Sequence, residues 1–127
     1  MEATLIRADD APRFGQDGTD ITGYASPSRG SEHVAAWRIR LDPGVASPPH
    51  ELTHGEAFVG IAGVGTFEVG GTVHRLGPGD AISVPPDTRF RLTNDGDEPF
   101  ETFACMIAGG MARVEGEDEA IVPPWAE

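Results

Sequence analysis

Glycine and proline divide this chain of 127 residues into short segments, and that punctuation most constrains its fold: 17 glycines and 11 prolines leave no room for long helices. The segments between them are β-type runs: ATLIRA, ITGYAS, VAAWRIRL, EAFVGIA, GTFEVG, TVHRL, DAISVP, FRLTN and FETFACMIA, with SPPHEL extended because proline disfavours helix at the residue before it. A polar stretch, DDAPRFGQDGTD, separates the first two runs. In VAAWRIRL, Trp37, Ile39 and Leu41 alternate with Arg38 and Arg40, as a strand with one buried face requires. GVG, GG, GPGD, PPDT and NDGDEP are turn chemistry. No segment keeps a 3.6-residue apolar period for ten residues, and no internal repeat or linker occurs. Ten or so short strands in one small domain must close or double over to hide their edges, as a sandwich, a jelly roll or a barrel.

Composition narrows the partners. Asp and Glu total 21 against nine basic residues, all arginine, for a net charge of −12. Such a surface repels nucleic acid and anionic membranes. The absence of lysine removes Schiff-base chemistry and a P-loop. A lone cysteine, Cys105, forbids an intrachain disulfide and is compatible with the cytoplasm. The first residues, MEATLIRADD, lack the basic-then-apolar pattern of a signal peptide, and no apolar run approaches the roughly 20 residues a membrane span needs.

His50-Glu51-Leu52-Thr53-His54 spells H-E-x-x-H, a zinc motif that works only on a helix, where residues i and i+4 share a face. Pro48, Pro49 and Gly55 leave about one turn, and isolated turns are not stable helices. In an extended chain the two histidines stand roughly 13 Å apart. The letters therefore predict no metalloprotease helix.

A wider spacing fits another pattern. Gly44, His50, Leu52, Glu56 and Gly63 follow the steps of the first cupin motif, and Gly79, Pro85, Asp87, Phe90 and Asn94 those of the second. The chain resembles a small single-domain cupin: an all-β antiparallel jelly-roll barrel over residues 1–127, with the motif-bearing core at about 39–108 and a tail from 109 to 127. The resemblance implies a homodimer joined by edge strands and a site inside the barrel mouth. It also implies a divalent metal held by three histidines and a glutamate. Here His50 and Glu56 match that set, Leu52 and Phe90 replace two histidines, and Asp87 replaces a glycine. Two ligands of four make a weak metal site, which His54 would complete if the chain bent toward Glu56. His50 and Glu56 otherwise form an acid–base pair, or a buried pair kept for packing. Leu52, Phe58 and Phe90 make the lumen apolar, and Gly60 leaves room below, so the site reads as a hydrophobic pocket with one polar corner.

His33 and His74 read as surface residues. FETFACMIA is apolar on both parities, so Cys105 reads equally as cavity wall or small hydrophobe. Trp125 and VPPWAE fold back over the barrel, pack on a partner, or fray. The functional expectation is a small-molecule cupin acting on an apolar or aromatic metabolite, with or without a weakly held divalent ion. The alternative is a non-catalytic ligand-binding, structural or regulatory module.

Overall fold

The computed structural model describes residues 2–127. Eleven strands follow the turn punctuation: β1 (Arg13–Gln16), β2 (Thr19–Ala25), β3 (Val34–Leu41), β4 (His50–Leu52), β5 (Glu56–Ala62), β6 (Gly65–Val69), β7 (Thr72–Leu76), β8 (Ala81–Val84), β9 (Phe90–Thr93), β10 (Phe100–Ile107) and β11 (Ala112–Val114). They form two antiparallel sheets, one of six strands in the order β1-β2-β3-β10-β5-β8 and one of five in the order β11-β4-β9-β6-β7. This is the jelly-roll arrangement, with the core between the sheets. The only helical turns among the described residues are three short 3-10 turns, and none is long and apolar enough to cross a membrane.

Alternation decides which side chains enter the core. Along β10, Phe100, Thr102, Ala104 and Met106 are buried, whereas Phe103, Cys105 and Ile107 are exposed. That settles the ambiguous parity of this strand and puts Cys105 outside the barrel. Two-residue turns close the hairpins. Gly70 and Gly71, with φ of 55° and 87°, join β6 to β7, both in the left-handed region that a type I′ turn demands.

Two segments depart from the sequence reading, and the tail takes one of the courses it left open. ATLIRA forms no strand; the chain is irregular there and ends in a 3-10 turn at Ala8–Asp10. Leu5 is largely exposed, and β1 forms the sheet edge at that side. β1 arises in the stretch read as polar, and Asp17-Gly18, the two-residue turn pairing Gln16 with Thr19, was its signal. The tail neither frays nor stays free. β11 pairs with β4, Ile121 bridges Ala112, and a 3-10 turn at Pro124–Ala126 packs on β2 and β3, where Arg29 Nη2 donates to the Trp125 carbonyl.

Asn94, the last position of the second motif, ties the loops at one end of the barrel. Fully buried, it donates through Nδ2 to the Leu41 and Glu98 carbonyls at 3.0 and 2.8 Å, and its Oδ1 accepts from Gly96 N–H at 3.1 Å. Asn94→Ala strands these partners, and each buried group without a partner costs about 1–3 kcal/mol. Chemical denaturation should show a loss of roughly 2–4 kcal/mol; a loss within experimental error would mean that the loops hold without Asn94.

Candidate functional site

The H-E-x-x-H letters fall on a strand and a bend, as the flanking prolines and glycine require: His50, Glu51 and Leu52 make β4, and the link 53–55 leads directly into Glu56, the first residue of β5. Because β4 and β5 belong to different sheets, the two candidate residues stand on facing sheets. His50 pairs across β4 with Phe90 of β9, and Glu56 pairs across β5 with Val84 of β8 and Met106 of β10.

His50 is half-buried at the edge of the interior, with its ring centroid 4.2 Å from that of Phe90. Its Nδ1 lies 2.9 Å from the Pro48 carbonyl oxygen. A carbonyl only accepts, so Nδ1 carries the hydrogen and Nε2 carries the lone pair in the neutral ring. Burial pushes the His50 pKa down, and the Pro48 bond opposes that only in part, so the neutral form is favoured.

Glu56 is buried, on the inward face that β5 shares with Phe58. Burial alone pushes its pKa up to about 8; no cation or donor offsets the loss of water. At neutral pH it is therefore a carboxylic acid with a proton to donate. A neutral imidazole and a protonated carboxyl on consecutive strands are groups of the kind from which acid–base pairs are built.

The other sequence candidates divide. Leu52, Phe58 and Phe90 are all buried in the core. Phe58 meets Phe67 at 4.9 Å and Phe90 at 6.0 Å, both edge-on, so rings occupy the middle of the barrel. Gly60 does not leave room below the site. A Cβ there would stand 2.2 Å from the Gly77 carbonyl oxygen, because the turn before β8 lies against β5, held by Gly60 N–H to Asp80 O and Gly79 N–H to Gly60 O, each at 2.9 Å. His54 stays exposed, bonded through Nδ1 to its neighbour Thr53 Oγ1 at 3.0 Å. His33 and His74 are exposed as expected. The contribution that sequence reasoning missed is the Pro48 carbonyl, which sets the tautomer of His50; a proline two residues before a histidine carries no signal of it.

Residues 37–106, more than half of the chain, match the Cupin domain family. The chain belongs to the cupin family. It is 34% identical over 85 residues to 1-hydroxy-2-naphthoate 1,2-dioxygenase of Nocardioides sp. (strain KP7), covering 64% of this chain and 22% of that protein. It thus spans about a fifth of the length of the curated relative it matches. Among solved structures it superposes on the polyketide cyclase RemF from Streptomyces resistomycificus with a TM-score of 0.78 at 14% identity, over 93% of this chain and 89% of that one. It superposes on a variant of salicylate 1,2-dioxygenase from Pseudoaminobacter salicylatoxidans with a TM-score of 0.70 at 19% identity, over 83% of this chain and 32% of that one. At such identities the structural likeness defines the fold alone.

The metal implied by the family pattern can be tested against the donors present. His50 offers one lone pair and Glu56 an unpartnered carboxyl, but Leu52 and Phe90 bring carbon to the remaining positions, and the Phe90 ring covers one side of His50. Among the described residues no three His, Cys, Asp or Glu side chains come together as a group able to hold an ion. Firm sites take three or more protein ligands. The donor set does not fit such a centre, and the chemistry below is derived from the protein groups.

The buried carboxyl also links stability to pH. Its folded pKa of about 8 exceeds the 4.5 of an exposed carboxyl, so across that window the folded state holds a proton that the unfolded state has lost, and stability falls as pH rises. His50 acts in the opposite sense at lower pH: its depressed pKa makes stability fall as pH drops below the ordinary 6.5. Glu56→Gln removes the first effect. Measured against wild type, the variant should gain on the order of 4 kcal/mol between pH 5 and pH 8.5. A stability difference that does not change with pH would contradict an isolated buried carboxyl.

Proposed function

We propose that this cupin binds an apolar or aromatic small molecule at the His50 mouth of its barrel and moves protons on it through His50 and Glu56. One observation carries the reading: a neutral imidazole with its Nε2 lone pair free, and a protonated carboxyl without a partner, stand on facing sheets around one ring-lined interior. The names of the similar proteins support the substrate class, since 1-hydroxy-2-naphthoate and salicylate are aromatic and a polyketide cyclase builds rings.

The chemistry follows from the two protonation states. His50 Nε2 takes a proton from an acidic C–H or O–H of the ligand while Glu56 gives one to the oxygen or carbon at the other end of the same conjugated system. The ligand leaves as its tautomer. The site is left as imidazolium and carboxylate, and proton transfer from His50 to Glu56 restores it. The apolar surroundings make the charged pair short-lived and favour the neutral resting state. A positioned general acid or base contributes typically 10²–10⁴-fold.

A non-catalytic ligand-binding or structural role is the second reading. It is favoured by the ring packing itself, since Phe58, Phe67, Phe90 and Phe100 are all fully buried and fill the barrel they line.

Deuterium exchange into an enolisable aromatic ketone such as 2-tetralone, followed by proton NMR in chelator, tests the proposal. Wild-type protein should accelerate exchange, and His50→Ala and Glu56→Gln should each lose roughly 10²-fold or more of that acceleration. Equal exchange in all three, with the ketone bound, would leave the non-catalytic reading standing and end the catalytic one.

A further inference from the structure

Where the tail turn Pro124–Ala126 meets β2, the protein half-buries a positive charge that no carboxylate answers. Nine basic residues, all arginine, stand against 21 acidic ones. Seven of the nine have a carboxylate oxygen at 3.7 Å or nearer. Among the described residues, Arg7 and Arg29 are in no such pair; Arg7 is exposed, whereas Arg29 is half-buried. The Arg29 guanidinium lies against Gly23, on the inward face of β2, where a Cβ would stand 2.7 Å from Nη2. Glycine lets the cation come that close.

Two donors at this joint are idle. Arg29 Nη2 donates to the Trp125 carbonyl at 2.6 Å, but Arg29 Nε is buried without an acceptor. The indole Nε1 of Trp125 is buried without an acceptor too. Phe14 of β1 stands edge-on to Trp125, with centroids 6.4 Å apart, and reaches the same glycine, 3.4 Å from the Cβ position. Buried donors without acceptors are rare and destabilising, and a cation removed from water needs a counter-charge. A carboxylate meets both needs: it brings one negative charge for one cation, and its two oxygens suffice for Nε–H and the indole N–H. The rings of Phe14 and Trp125 favour an aromatic body behind that carboxylate. Both donors lie below the surface, too deep for an acidic side chain on the face of another protein.

We propose that the joint of Arg29, Trp125 and Phe14 binds a small aromatic monocarboxylate, held through Arg29 Nε and Trp125 Nε1. Entry requires the three-residue tail turn to lift. Arg29 Nη2 and Ser28 hold that turn, the latter by donating its N–H to the Glu127 carbonyl at 3.2 Å. A turn this short, with so few bonds, opens locally without global unfolding. The site is separate from the His50 mouth, since β3 and β10 lie between β2 and the strand that carries Glu56. It does not depend on the chemistry proposed there.

Proton–nitrogen NMR reads the indole N–H groups of the two tryptophans, Trp37 and Trp125, and Trp125→Phe assigns them. Benzoate, titrated in chelator at constant ionic strength, should shift the Trp125 signal downfield and saturate. Benzamide, of the same shape without the charge, should bind at least about tenfold more weakly. Arg29→Gln should weaken benzoate by at least about tenfold, and Arg29→Lys, which keeps the charge without Nε–H, should fall between. His50→Ala should leave the Trp125 titration unchanged. The comparison of benzoate with benzamide uses wild type, so a folding defect in an Arg29 variant does not decide the result. A Trp125 signal that benzoate fails to shift overturns the proposal. So do equal affinities for benzoate and benzamide, an Arg29→Gln titration like that of wild type, and a Trp125 response lost in His50→Ala.

Discussion

A file of aromatic rings crosses between the two sheets, and both the fold and the site depend on it. From Phe100 on β10 it runs to Phe67 on β6, then Phe58 on β5, then Phe90 on β9, and ends at His50 on β4, with centroid separations of 6.3, 4.9, 6.0 and 4.2 Å. The first four members alternate between the six-stranded and the five-stranded sheet. Each of the three contacts among these four rings therefore joins one sheet to the other, and their edge-on geometry adds about 0.5–1.5 kcal/mol per pair beyond the burial of area. Gly65 permits this packing, since a Cβ there would stand 2.4 Å from the Phe100 ring. The sheets close on these rings.

The same file sets the electrostatics of the candidate site. Its last ring lies against His50, and Phe58 shares with Glu56 the inward face of β5. Both ionisable groups thus lose water to hydrocarbon rather than to compensating charge, and both move toward their neutral forms: His50 down, Glu56 up. Where the family pattern puts two further histidines, this chain puts Leu52 and Phe90. That exchange removes two metal donors and adds two buried apolar side chains to the interior.

The fold was legible because strand bounds and turn chemistry coincide in the letters. VAAWRIRL, EAFVGIA and TVHRL are strands end to end, and the separators between them are turns. Asp87 shows the same logic in a substitution: its φ of 56° is the left-handed value for which the family pattern uses glycine. What stayed hidden depends on distant chain. ATLIRA has strand composition but pairs with no strand, and the tail forms β11 only because β4 offers an edge. Gly60 looked like open space because a missing side chain says nothing about which backbone approaches it. At the site, the identities and positions of His50 and Glu56 were legible from spacing, but the tautomer of His50 and the isolation of Glu56 were not. Both depend on what surrounds each group in three dimensions: the Pro48 carbonyl in one case and the absence of a neighbouring cation in the other.

The central claim is that Glu56 is held as a neutral acid inside the barrel, and carbon-13 NMR of glutamate-labelled protein reads it directly. With Glu56→Gln assigning the resonance, its carboxyl carbon should titrate with a midpoint at about 8, far above the exposed glutamates. A midpoint in the ordinary carboxylate range, near 4.5, would show Glu56 ionised at neutral pH and would contradict both the isolation of the group and the proton chemistry built on it.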